Sequence, residues 1–118
     1  MMYLFLICHN PDVGLGPDDP PTLQPQHAAL GEQLRAEGRY VAGGAPHPYD
    51  AATVVRVQGR KRLAQDGPFA EVKEVVGGYY IVECKDAADA EAVGMRIPVA
   101  SNAWVQIRPL WLHDDKRP

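Results

Sequence analysis

Two rhythms of apolar residues run through this chain, one with a period of two and one close to 3.6. From Met2 to Cys8 (MYLFLIC) almost every position is apolar. In an extended chain Tyr3, Phe5 and Ile7 share one face and Leu4, Leu6 and Cys8 the other, which predicts a strand covered on both sides. His9 continues the Tyr3 face as the strand ends. The pattern then stops. Asn10 to Pro25 carries Pro11, Pro17, Pro20, Pro21 and Pro25, which exclude a helix or an inner strand. Such a long connection is either a lid or binding loop or a variable surface insertion. Gln26 to Glu37 changes to the helical rhythm, with Pro25 at its entrance and Gly38 at its end. Leu23, His27, Leu30 and Leu34 form one stripe, so His27 falls on the core-facing side, whereas Glu32, Arg35 and Glu37 fall on the wetter side.

The period of two returns in Arg39–Gly44, in Thr53–Gln58 and, after a basic turn at Gly59–Arg62, in a short return over Leu63–Gln65 that makes a ribbon. Asp66-Gly67-Pro68 has the composition of a tight turn. Gly78 to Cys84 is the next strand, with Tyr80, Val82 and Cys84 on one face and Tyr79, Ile81 and Glu83 on the other. Asp86 is placed to cap a second helix to about Arg96, whose stripe is Ala90, Val93 and Ile97 and whose stop is Pro98. Asn102 to Leu110 closes the chain as a strand, apolar through Ala103, Val105 and Ile107 and amphipathic through Trp104, Gln106 and Arg108. The order is βαββαβ with an extra β-ribbon, a ferredoxin-like α+β plan with an antiparallel sheet and both helices on one face. The other face needs cover too, which predicts a homodimer.

Composition narrows the function more than it defines it. A chain of 118 residues suits one domain, taken as 1–118. A net charge of -3 with scattered Lys and Arg argues against nucleic acid and anionic membranes. The opening apolar run is too short to span a membrane and lacks the flanks of a secretory leader, so a cytoplasmic protein is expected. In that setting Cys8 and Cys84 read as reduced, buried thiols, with a disulfide between neighbouring strands as the alternative. No ligand spacing supports a metal, and no cofactor is expected. Gly77-Gly78 enters a strand instead of opening a helix, so it reads as a bulge or close backbone approach and not as a nucleotide loop.

The string Asp66-Gly67-Pro68-Phe69-Ala70-Glu71, then Lys73-Glu74 and Gly77-Gly78-Tyr79-Tyr80, resembles the signature of the DGPF-type proteins of the YCII-related superfamily. Met2–Ile7, Gly43-Gly44, Thr53–Val57, Arg96-Ile97-Pro98 and Val105–Pro109 agree with that family in order. The resemblance covers nearly everything except Asn10–Pro25. It implies a ferredoxin-like fold that dimerises into an α+β barrel. It also implies kinship with muconolactone isomerases and an association of some relatives with extracytoplasmic-function sigma factors. A His–Asp pair is the proposed active site of the YCII branch. His27, in Gln26-His27-Ala28-Ala29-Leu30, stands at the histidine position. The acid position before Pro98 is Ile97, so either Asp66 replaces it or that chemistry does not transfer.

Two function classes follow. In the first, His27 and Asp66 handle protons on a lactone-like or anionic substrate, because an imidazole titrates near neutrality and a carboxylate raises its basicity. Arg108 would hold the anion, and Tyr79 and Trp104 would line the pocket. His9 and His47, at strand-to-loop junctions, are further ligand-binding candidates. In the second class the same cavity binds a ligand without chemistry, in a regulatory dimer. Each residue also has a plainer reading. His27 is then a core histidine, Asp66 a turn residue bonded to its own backbone, and the aromatics dimer packing.

Overall fold

The computed structural model describes residues 1–46, 52–66 and 75–113. His47 and the stretch from Gly67 to Glu74, which holds most of the family-like string, lie outside the described residues. The elements in order are β1 (Met2–His9), α1 (Gln24–Ala36), β2 (Tyr40–Gly44), β3 (Thr53–Gln58), β4 (Lys61–Asp66), β5 (Val75–Glu83), α2 (Ala87–Gly94) and β6 (Trp104–Pro109). Four strands form one antiparallel sheet in the order β2-β5-β1-β6, with β1 and β5 at its centre. Helix α1 links β1 to β2, and α2 links β5 to β6. The architecture is α+β and is compatible with the ferredoxin-like plan.

The helical stripes and the inward faces of the central strands make one core. Tyr3 and Phe5 of β1 and Tyr80 and Val82 of β5 pack with Leu30 and Leu34 of α1 and with Ala90, Val93 and Ile97 around α2. Phe5, Leu34 and Val82 are fully buried, each side chain contributing about 1.5–3 kcal/mol by leaving water. Both helices end on local signals. Gly38, at φ 72°, takes the left-handed position after α1. There the Gly38 N–H bonds the Arg35 carbonyl and the Arg39 N–H that of Leu34, the paired pattern that satisfies a helix C-terminus. At the start of α2 the Asp86 carboxylate accepts the Asp89 N–H at 2.8 Å, as its cap position predicts. Both cysteines are buried, and burial pushes the Cys84 thiol pKa up.

Strand β5 departs from the expectation. It begins at Val75, before the glycine pair instead of after it. Ile7 pairs with Gly78 and Cys8 with Val76, so Gly77 is the extra residue of a bulge in the β1–β5 ladder. A strand absorbs such a residue without ending, which is why a glycine pair that looks like a boundary lies inside the element.

The opposite face of the sheet carries Leu4, Leu6, Tyr79 and Ile81 half-buried, and Trp104 and Arg108 exposed. Strands β3 and β4 pair only with each other, joined by Gly59 at φ 64°. The ribbon leaves Val55 62% and Val57 67% exposed.

Candidate functional site: a cavity beside the first helix

Beside the core, α1 and the sheet draw apart around a cavity of about 580 Å³. Two adjacent stripes of α1 explain it. Leu30 and Leu34 fill the layer on one side. On the other, Gln24, Ala28, Gly31 and Arg35 recur at helical spacing and line the cavity together with His27. The floor is equally lean in side chains. Gly43, Gly77 and Gly78 lie where the strands pass beneath. A Cβ on Gly77 would stand 3.0 Å from the His9 ring, and one on Gly78 3.3 Å from Ile7 Cδ1, so the glycines make room for both side chains.

The long loop closes one wall, with Val13, Gly14, Leu15 and Leu23 lining the cavity. The loop is tied to the turn before β6. The Asp19 carboxylate accepts the N–H of Gly16 at 2.6 Å and the backbone N–H and hydroxyl of Ser101 at 3.1 and 3.0 Å. The Asn102 side-chain amide donates to the Gly14 carbonyl. These bonds stabilise the charged carboxylate and hold the Asp19 pKa below its ordinary value. The segment is therefore tied in place as one wall of the cavity.

His27 lines the cavity from α1. Its Nδ1 lies 2.6 Å from the Tyr80 hydroxyl. Loss of solvent lowers the imidazole pKa and raises that of the phenol, with Tyr40 nearby adding to the latter. Both groups are thus neutral at pH 7. Two proton arrangements satisfy the bond. With Tyr80 donating to Nδ1, the imidazole proton sits on Nε2. With Nδ1–H donating to the phenol oxygen, Nε2 is a free base and the phenol proton is free to donate. Conversion of the first into the second gives up the Nε2 proton at one end and passes the phenol proton to Nδ1. The phenol oxygen takes up a proton at the other end, so the pair can carry a proton between two outside groups.

The sequence-predicted site residues are only partly brought together. His9, His27 and Tyr79 border the cavity, and His9 Nδ1 also lies 3.3 Å from the Asn10 carbonyl. Trp104 and Arg108 share the opposite face of the sheet with Cys8 and Leu4 and do not line the cavity. Asp66 sits exposed at the end of the β4 ribbon and does not line it either. The side chain bonded to His27 is Tyr80. Ile97, at the acid position of the related motif, is turned into the core, and the chain passes the cavity only afterwards at Pro98, Val99 and Ala100. Among the described residues no group of three or more His, Cys, Asp and Glu gathers as a metal would require. Nor is any described helix long and apolar enough to cross a membrane.

An antiparallel sheet with two covering helices and a small-molecule-sized cavity beside the first of them places the chain in the α+β class. Within that class the chain belongs to the YCII-related family, whose domain model matches residues 1–113. It is also 32% identical over 68 residues to an uncharacterized protein of Rhizobium meliloti (strain 1021), a match that takes in 56% of this chain and 55% of that protein. The chain thus spans about half the length of the curated relative it matches.

Proposed function

We propose that this YCII-related chain takes a small organic molecule into the cavity beside α1 and exchanges a proton with it through His27 and Tyr80. The observation that carries this reading is the 2.6 Å bond between two desolvated titratable side chains on the wall of a roughly 580 Å³ cavity. The volume falls in the range of small-molecule sites. Desolvation keeps the imidazole neutral, hence able to act as a base at physiological pH, and among the described residues the group bonded to it is a phenol and not a carboxylate. Proton abstraction beside a carbonyl or lactone matches this equipment. A fragment screen by ¹⁵N–¹H shift mapping tests it. Expected are hits that perturb the residues around His27 and lose affinity in His27→Gln. Hits that all map elsewhere would sink the reading.

A homodimer accompanies the proposal, in the form of an α+β barrel. It is supported by the helix-free sheet face with Leu4, Leu6 and Ile81, and by the ribbon with Val55, Val57 and Leu63 exposed. A two-stranded ribbon is marginal in water by itself, and a second copy would supply the packing. Light scattering at micromolar concentration is expected to give twice the chain mass. A monomer there would rule the assembly out.

A further inference from the structure

Arginines near α1 fall into two kinds. Arg39 is bonded to Glu37 and Asp89, and Arg96 to Glu37. Arg35 has no carboxylate partner among the described residues. Its guanidinium carbon stands 4.3 Å over the centre of the Tyr40 ring. One turn earlier stands Gly31, where a Cβ would lie 3.6 Å from Arg35 Nη1, an ordinary contact distance. The side chain is therefore held by stacking rather than by an ion pair. Stacking engages the face of the guanidinium and leaves its edge, where the five N–H donors lie, uncommitted. Arg35 also lines the cavity, and among the described residues no aspartate or glutamate does so. Its charge is thus the one permanent charge on the described lining.

From this we infer that the ligand of the cavity carries a single carboxylate, held by Arg35, on an apolar body. The inference rests on the reading of the cavity as a ligand site and names the class of molecule it takes. An unpaired guanidinium at the edge of a largely apolar space binds a planar carboxylate through two parallel N–H bonds. Ile7, Val13, Leu15, Leu23 and Val99 line the space for the body. One fixed positive charge balances one negative charge. A phosphate dianion would leave a charge uncompensated among apolar walls, which is costly. Arg35 and His27 are two turns apart, about 12 Å along the helix axis. A molecule of about that length, anchored at Arg35, brings its far end to the His27–Tyr80 pair.

The test compares 3-phenylpropanoate, its neutral amide and phenyl phosphate by calorimetry and ¹⁵N–¹H shift mapping. Wild type, Arg35→Met and Arg35→Lys are measured side by side. Met keeps the apolar stem and removes the charge, and Lys keeps the charge without the fork. The acid is expected to bind at least tenfold tighter than the amide in wild type. In Arg35→Met the preference for the acid over the amide is expected to vanish, and in Arg35→Lys the acid regains only part of its advantage. Equal affinities in wild type, an acid preference that survives Arg35→Met, or tighter binding of the phosphate would overturn the inference. In those cases, shifts at cavity residues with the amide leave the ligand-site reading standing. Absence of cavity shifts with all three compounds removes both.

Discussion

Along α1 the layer between helix and sheet is filled on one flank and hollow on the other. On the filled flank Leu30 and Leu34 meet Phe5, Val82 and Val93, with almost nothing left exposed. On the hollow flank the helix offers Ala28 and Gly31 and the strands offer Gly43, Gly77 and Gly78. The backbone is the same helix over the same sheet. Side-chain volume alone separates core from cavity. The filled flank contributes stability through apolar contacts. The hollow flank forgoes that burial and holds the groups able to do chemistry.

The largest effect is expected on the filled flank. Leu34→Ala opens a void in a position of zero exposure and is expected to cost about 2–5 kcal/mol, read as a lowered urea midpoint. If the loss is under about 1 kcal/mol, the contrast between the flanks is overstated. Next, Tyr80→Phe removes the partner of His27 and is expected to cost about 1 kcal/mol, while slowing any proton exchange with a bound ligand. Ala28→Leu makes the hollow flank resemble the filled one. It is expected to change stability by less than about 0.5 kcal/mol yet to weaken fragment binding at least tenfold, checked by shift titration.

Acidification provides a fourth comparison. Desolvation holds the folded-state pKa of His27 below the ordinary histidine value of about 6.5. Between those two values the unfolded chain binds a proton that the folded chain refuses. Stability is therefore fully retained above the ordinary value and is lost as the pH falls through the folded value. In His27→Gln the part of the stability slope between pH 7 and 5 that comes from this group is expected to vanish, as followed by denaturant melts. An unchanged slope would mean that His27 is not desolvated. The smallest effect is expected from Asp19→Asn. It weakens the bonds to Gly16 and Ser101, so limited proteolysis is expected to cut the Asn10–Leu23 loop faster with the melting midpoint nearly unchanged.

Much of the filled flank was legible in the sequence. Alternation along Met2–Cys8 and Tyr79–Cys84, and the Ala90, Val93 and Ile97 stripe, named residues that do pack together. The order of elements followed from breakers and caps such as Gly38 and Asp86. The hollow flank was read less well, because a cavity is written as missing side chains, which carry no periodic signal. Ala28 and Gly31 of α1, Gly43 of β2 and Gly77 of β5 come from three separate segments, and only the fold sets them around one space. His27 was identified by its position and its chemistry. Its partner was sought among carboxylates, so Tyr80 was read only as a strand residue on a face with Val82. The available clue was that Tyr80 and His27 both face the layer between helix and sheet. Arg35 was assigned to the wetter side, as its exposure bears out, but its stack on Tyr40 depends on where β2 returns.

The ties from Asp19 and Asn102 join segments 82 and 88 residues apart. Chains emerge from the ribosome N-terminal end first. The loop, α1 and β2 are all made well before Ser101 and Asn102. Until those two residues appear, the loop has no anchor and the compartment has no finished wall. A truncated product ending before Ser101 would thus lack these ties, and its compartment would have an unfastened wall even if its first strand and helix had formed.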